Sequence, residues 1–309
     1  KGLIEDADPD RRDVLLRSDG SGIELAKPLL AADEALRIEQ QSSCPSILMD
    51  HWIKLFGNEE ARRLALHGIA DAPLIIATNS DTQLEHLSDA HEIPVYRVVR
   101  PGHSVMDVLE ADPHAIIQDP ASADPVRATV GLQPACILDL CAGRGTKTRL
   151  LSKQHPDSRI IATDYDIKLI DDLRDATESC DNVEVRTFNQ LDDLRDQIDL
   201  LVMDVPCSNT AVLARRCEAR YRFNLTSLSQ LFDQQKQIIA DALPFLTTSG
   251  RILYSTCSLD PAENQEQARW IIKWHQFSIE SERMMPPRGV PGESATVYHD
   301  GSYHVLLAR

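Results

Sequence analysis

Beyond Pro134 the chain alternates apolar, β-prone runs with helix-forming segments. Strands are expected at 136–140, 159–163, 183–187, 199–203 and 250–255, and helices near 146–154, 167–178, 225–245 and 261–275. Strands separated by helices build a parallel sheet covered on both faces, so this region is α/β, a doubly wound, Rossmann-like sheet. Right-handed crossovers bring the carboxyl ends of the strands to one edge, and ligands bind along that edge. Chemistry is therefore expected just past strand ends.

Three strand ends stand out. In the first, Ile137-Leu138-Asp139-Leu140 runs into the small-residue turn Cys141-Ala142-Gly143-Arg144-Gly145, and Thr146-Lys147-Thr148 open a helix. Glycines there let a ligand approach backbone N–H groups that a Cβ would shield. Asp164, at the end of the next apolar run, lies about 20 residues on, the spacing at which a carboxylate reaches ribose hydroxyls in a doubly wound sheet. A glycine turn of this kind also serves as a plain strand-to-helix connection, so its meaning depends on its company. In the second, Leu200–Met203 leads into Asp204, Pro206 stops the strand, and Cys207 follows. In the third, Cys257 follows Ile252–Ser255; Asp260 reads as an N-cap, Pro261 as the first helical residue and Glu263 as the partner in a capping box. Cys257 thus falls between a strand end and a helix N-terminus, a setting that favours thiolate. A single cysteine is ordinarily a small buried apolar residue. Two of them at the ligand edge, with the glycine turn and Asp164, point to chemistry.

The 309 residues, 42% hydrophobic, suffice for about two domains. A formal charge of −16 weighs against a nucleic-acid partner without excluding one, because net charge describes the long-range field and not a local groove. Seven cysteines, with no C-x-x-C pair, give neither a disulfide framework nor a zinc ribbon. A reducing, cytoplasmic setting and no metal are expected. No apolar run approaches the ~18 residues of a membrane span, and no signal peptide opens the chain, so no membrane partner is expected. The chain starts at Lys1, as a fragment or a processed chain would.

Residues 1–44 read as a loosely structured acidic lead-in with a short helix at 31–40. A smaller α+β domain is expected over 45–125 and the catalytic domain over 126–309. In the smaller domain Ile47, Leu48, His51, Trp52, Leu55 and Phe56 recur at helical spacing up to Gly57-Asn58, and a second helix covers Glu59 to His67. A strand at 74–77, a helix at Asp81–Ala90 and a strand at 95–99 follow. Trp52 and Phe56 read as core residues in preference to base-stacking platforms.

These blocks resemble the RsmB/Nop2/Sun family of S-adenosylmethionine-dependent RNA cytosine-5 methyltransferases, over roughly residues 44–309. Asp139 to Thr148 resembles the family's Asp-x-Cys-Ala-x-Pro-Gly-Gly-Lys-Thr, with Arg144 in place of the proline and Thr146 in place of the second glycine. Asp204-Val205-Pro206-Cys207-Ser208 resembles Asp-x-Pro-Cys-Ser. Tyr254-Ser255-Thr256-Cys257-Ser258-Leu259, with Pro261, Glu263 and Asn264, is similar to the third signature. Gln118 to Ser122 resembles the entry to the catalytic domain, and Pro45 to Gly57 the start of an accessory RNA-binding region. Asn189 stands where members commonly carry an aspartate near the adenine, and Asn209 and Ala211 stand where glycines follow the second motif. In many bacterial members a helical domain precedes this region, and residues 1–40 look like the linker after it.

The resemblance implies a class I methyltransferase sheet with an antiparallel C-terminal strand, and S-adenosyl-L-methionine as cofactor. It assigns Cys141, Ala142, Gly143, Arg144, Gly145, Thr146 and Lys147 to the methionine portion, Asp164 to the ribose and Asn189 to the adenine, and counts Asp204 among the cofactor-binding residues. Cys257 is the implied nucleophile toward carbon 6 of cytosine, and Cys207 the residue that assists release. Asp204 either hydrogen-bonds the cytosine ring or braces its loop, and Lys168 is either a ligand or a solvated helix residue. The implied partner is RNA, with small-subunit ribosomal RNA the expected class and a single-stranded or loop cytosine the target, since the base must leave its stack. Arg215, Arg216, Arg220 and Arg222 form the expected phosphate-contact run, the alternative being a surface ion-pair cluster. A catalytically degenerate RNA-binding or ribosome-assembly factor is the competing reading, motivated by the substituted glycines, Asn189 and the acidic charge.

Overall fold

The computed structural model describes residues 2–78 and 84–309. They fall into two compact units, one of residues 1–120, 209–227 and 286–301, the other of 121–208, 228–285 and 302–309.

In the first unit, the expected loosely structured lead-in is instead a three-stranded antiparallel sheet of β1 (Leu3–Ile4), β2 (Val14–Leu16) and β3 (Gly22–Glu24), with β3 central. Its order comes from a residue far along the chain. Gln41, on helix α1 (Glu34–Ser42), accepts from Leu16 N–H at 2.9 Å and donates to the Val14 carbonyl at 2.8 Å, as a neighbouring strand would. Helix α2 (Ser46–Phe56) buries Leu48, Met49 and Trp52, so Trp52 is core. Gly57, at φ +85°, separates α2 from α3 (Asn58–His67).

A four-stranded sheet follows, formed by β4 (Ile75–Ala77), β5 (Ser88–Ala90), β6 (Tyr96–Val99) and, after helix α4 (Val105–Ala111), β7 (Ile116–Ile117), in the order β5-β6-β4-β7. The helix expected over Asp81–Ala90 is corrected at its far end, where residues 88–90 are a strand; residues 79–83 lie outside the described residues. Buried Arg97 of β6 donates to both the hydroxyl and the carbonyl of Ser88, which holds that strand in place.

In the second unit, α5 (Pro120–Arg127) leads to β8 (Cys136–Asp139), α6 (Thr146–Gln154), β9 (Arg159–Ala162), α7 (Leu169–Thr177), β10 (Val183–Val185), β11 (Ile198–Asp204), α8 (Leu225–Ala242), β12 (Leu246–Thr256), α9 (Gln265–His275), β13 (Ser278–Met285) and β14 (Ser302–Ala308). The seven strands order as β10-β9-β8-β11-β12-β14-β13. Five of them pair in parallel, and β14 runs antiparallel to both its neighbours. Leu200, Leu201, Val202 and Met203 of β11 are all fully buried, because a central parallel strand is covered on both faces; hence the unbroken apolar run and not an alternating one. Strand order reverses between β9 and β11 on either side of β8, so the turn after β8 is the switch point where such sheets bind ligands. Parallel register sets Asp204 opposite Ser255, which brings the ends of β11 and β12 side by side. Helix α9 starts at Gln265, four residues later than expected: Asp260 does not cap it, and its N-cap is Asn264. Among the described residues no helix is long and apolar enough to cross a membrane.

Candidate active site

The turn after β8 closes with Gly145 N–H donating to the Ala142 carbonyl at 2.9 Å. Its two glycines serve different ends. A Cβ on Gly145 would meet Leu173 at 3.1 Å and Thr177 at 3.2 Å, so this glycine permits close packing against α7, whereas a Cβ on Gly143 would meet nothing within 4 Å. Both have positive φ, +56° at Gly143 and +78° at Gly145. No side chain caps α6, so its first N–H groups face the turn unpaired by any capping oxygen. Asp164 accepts from Gly143 N–H at 2.9 Å through one oxygen and from Asp166 N–H at 2.8 Å through the other, which fixes the carboxylate against the turn. Arg144 is exposed and pairs with Asp172 at 3.3 Å, a contact worth little in solvent. Cys141 is half-buried, and burial raises its thiol well above the usual range.

Asp139, the last residue of β8, is fully buried; one oxygen accepts from the Thr148 hydroxyl at 2.7 Å, and the other has no partner among the described residues. Burial pushes its carboxyl up to about 7, against the lowering effect of Thr148. Its folded value lies above the ordinary 3.8, so between those two values the folded chain keeps a proton that the unfolded chain has lost. Stability conferred by that proton is therefore lost as pH rises through this window. Asp139→Asn keeps an acceptor for Thr148 and cannot ionise. Urea unfolding at about pH 5 and about pH 8 is expected to show a pH-dependent loss smaller in the variant by roughly 1–3 kcal/mol. Equal losses in the two proteins would refute the assignment.

At the ends of β11 and β12, Cys207 Sγ lies 3.3 Å from Cys257 Sγ, with Cys207 buried and Cys257 half-buried. Asp204 accepts from Lys147 Nζ at 2.6 Å and from the Ser255 hydroxyl at 2.7 Å, so both of its oxygens are engaged. Lys147, on the first turn of α6, is only 16% exposed at its side chain. Burial alone would lower its ammonium, but the Asp204 carboxylate, its hydrogen bond and the field of Cys257 raise it overall. Lys147 thus links the turn after β8 electrostatically to the two-cysteine edge.

The structure brings together Cys207, Cys257, Asp204 and Lys147, and on the neighbouring strand ends Gly143 and Asp164. Asn189 sits on the exposed turn Phe188–Gln190 after β10, its amide oxygen accepting from Thr187. Next to Asp164 and Asn189 in the chain, the Tyr165 and Phe188 rings stand 4.7 Å apart, an aromatic pair with no signature in the sequence. Lys168 is exposed at the start of α7.

The arginine run does not act as one surface. Arg215 pairs with Asp300 at 2.8 Å and Asp119 at 3.5 Å, and Arg220 is buried, donating to the carbonyls of Ser42, Gly68 and Cys217. Arg216 and Arg222 remain exposed. Glu263 does not close a capping box, since the helix after it starts at Gln265 with Asn264 as N-cap. It is fully buried and accepts from Ser208 N–H at 2.9 Å, the Ser208 and Ser258 hydroxyls at 2.5 Å each, and Gln235 Nε2 at 3.1 Å. Among the described residues no group of three or more His, Cys, Asp or Glu side chains is arranged to hold a metal ion.

A seven-stranded sheet of this order, with its single reversed strand second from the edge and a glycine turn at the switch point, is the Rossmann-like sheet of the S-adenosyl-L-methionine-dependent methyltransferases. Residues 131–293 match the family described as 16S rRNA methyltransferase RsmB/F, and the chain belongs to that family. The ribosomal RNA small subunit methyltransferase B of Photorhabdus laumondii is 29% identical over 167 residues, which cover 52% of this chain and 38% of that protein. Its counterpart in Vibrio cholerae is 25% identical over 237 residues, covering 73% and 50%. The chain thus spans half or less of these curated relatives. Among solved structures, a methyltransferase homologue from Pyrococcus horikoshii superposes with a TM-score of 0.70 at 18% identity, over 90% of this chain and 100% of that one. NSun6 from the same organism, crystallised with SFG, gives 0.65 at 14%, over 85% and 98%. At such identities the likeness is one of fold.

Proposed function

We propose that this chain methylates carbon 5 of a cytosine in RNA, with small-subunit ribosomal RNA as the substrate class, through a covalent bond from Cys257 to carbon 6. The observation that carries the reading is the 3.3 Å contact between the Cys207 and Cys257 sulfurs at the ends of adjacent parallel strands. A methyltransferase acting on a strong nucleophile needs no such pair, whereas carbon 5 of cytosine must first be activated. Cys257, as thiolate, adds its electron pair to carbon 6; the carbon 5–carbon 6 pair is then free to form a bond at carbon 5. Lys147, held by Asp204, places a positive charge at the edge where Cys257 lies. Once carbon 5 carries its new substituent, Cys207 takes the proton from that carbon. The C–H pair restores the ring double bond, and the sulfur of Cys257 leaves with its own pair. Asp204, fixed by Ser255 and Lys147, braces the edge on which the base rests.

The turn after β8 fits the family's cofactor on two observations: the uncapped start of α6, suited to a carboxylate, and the open space at Gly143. When bound there, S-adenosyl-L-methionine supplies an electrophilic methyl group. Asp164 is the group assigned to its ribose and Asn189 the one assigned to its adenine, with Tyr165 and Phe188 adjacent.

Two measurements test the reading. Labelled methyl groups are expected in ribosomal RNA as 5-methylcytosine, read by bisulfite sequencing; incorporation at another atom or base would overturn it. Gly143→Val, whose side chain enters the open space, is expected to weaken cofactor binding at least about tenfold by calorimetry. Its backbone cost at φ +56° is about 1–3 kcal/mol, read separately as a change in stability. Unchanged affinity would remove the turn from the cofactor site, and failure of the unmodified chain to bind the cofactor would favour a degenerate RNA-binding factor.

A further inference from the structure

Glu263 stands in a position that invites a capping role, yet α9 begins two residues later and takes nothing from its side chain. Burying a carboxylate costs several kcal/mol unless hydrogen bonds offset it. Here the bonds have a pattern. Ser208 follows Cys207 and Ser258 follows Cys257, and the Glu263 carboxylate accepts from both hydroxyls and from the Ser208 N–H. Its fourth donor, Gln235 Nε2, also donates to the carbonyl of Pro206, the residue before Cys207, at 2.9 Å. Asn264 completes the set: it accepts from Thr256 Oγ1 at 2.6 Å and donates to the Ser258 carbonyl at 2.8 Å, on the two sides of Cys257. The Glu263 backbone is itself tied down, its carbonyl accepting from Tyr254 OH at 2.7 Å. Two loops from different strands are thereby fastened to one buried group, which adds to the pairing of β11 with β12 and to the 3.0 Å contact between the Ser208 and Ser258 hydroxyls.

We propose that Glu263 is a positioning residue, which sets the separation and relative aim of the Cys207 and Cys257 sulfurs by tying Ser208 and Ser258 to a single carboxylate. Its consequence for turnover rests on the proposed function; its consequence for geometry does not. Burial raises the Glu263 carboxyl, and the Ser208 and Ser258 hydrogen bonds oppose that rise.

The test reads geometry without RNA or cofactor. Diamide oxidises two thiols within reach to a disulfide, its N=N bond taking up the two electrons and two protons, and peptide mapping identifies the Cys207–Cys257 product. In the unmodified chain this product is expected to form readily. Glu263→Ala is expected to slow it at least about tenfold, a loss consistent with misplacing reacting groups by a fraction of an ångström. Glu263→Gln keeps the shape and part of the bonding, and is expected to stay within about threefold. If Glu263→Ala does not fold, the double variant Ser208→Ala, Ser258→Ala removes two donors without a large cavity, and about a threefold loss is expected. In a methylation assay, kcat should fall with the cross-linking rate while KM for RNA stays. Cross-linking that is as fast in Glu263→Ala (or in the double variant) as in the unmodified chain overturns the proposal, as does Glu263→Gln matching Glu263→Ala. Absence of methylation alongside the expected cross-linking contrast removes the functional reading and leaves the clamp standing.

Discussion

Cys257→Ala is expected to lower methyl transfer to RNA by at least about 10⁴-fold, while Cys207→Ala holds the protein on its RNA as a denaturation-resistant adduct. The two cysteines touch, and a symmetric pair would predict equal losses; the distinction comes from their settings. Cys257 is the half-buried one and lies within the field of the Lys147 ammonium, while Cys207 is buried. On the proposed mechanism the less buried residue of the pair is the one that meets the base. Without it, no bond to carbon 6 forms and the ring stays unactivated, so neither product nor adduct should appear. On the proposed mechanism the first bond would still form without Cys207, but the proton at carbon 5 would have no acceptor 3.3 Å from the sulfur that must leave. Gel electrophoresis under denaturing conditions, with labelled RNA, separates the cases. An adduct in Cys257→Ala, or full turnover in Cys207→Ala, would contradict the assigned roles.

Much of this site is legible in sequence because its determinants are local. A short apolar run such as Leu200–Met203, ended by Pro206, reads as a strand covered on both faces, which puts Cys207 at the edge. The glycine turn and Asp164 follow from the same reasoning about strand ends. What eludes a linear reading is set by partners distant in sequence. Glu263 fits a local capping pattern, yet its donors come from Ser208 and Gln235, on other elements. Residues 88–90 follow helix-prone residues but pair with β6, and the lead-in becomes a sheet because Gln41 completes its edge. Clustered arginines suggest a phosphate-binding surface by composition alone, and composition does not record which of them point inward.

Arg220→Ala is accordingly expected to destabilise the chain by about 3–4 kcal/mol and to leave RNA affinity per folded molecule nearly unchanged. The side chain is 4% exposed, and its guanidinium joins three stretches, donating to Ser42 and Gly68 carbonyls and, at 3.1 Å, to that of Cys217. Truncation removes three charge-assisted bonds and strands the buried carbonyls of Ser42 and Gly68, a loss partly offset by water entering the space left behind. Arg220→Lys should recover less than half the loss, because an ammonium is a single point and cannot reproduce a planar fork. Chemical denaturation with an unchanged slope measures the stability term. The opposing expectation is as sharp: a phosphate contact would leave stability intact, weaken RNA binding, and reduce its salt slope by about 1. Arg216 and Arg222, both exposed, are the members of the run in which that second pattern is expected.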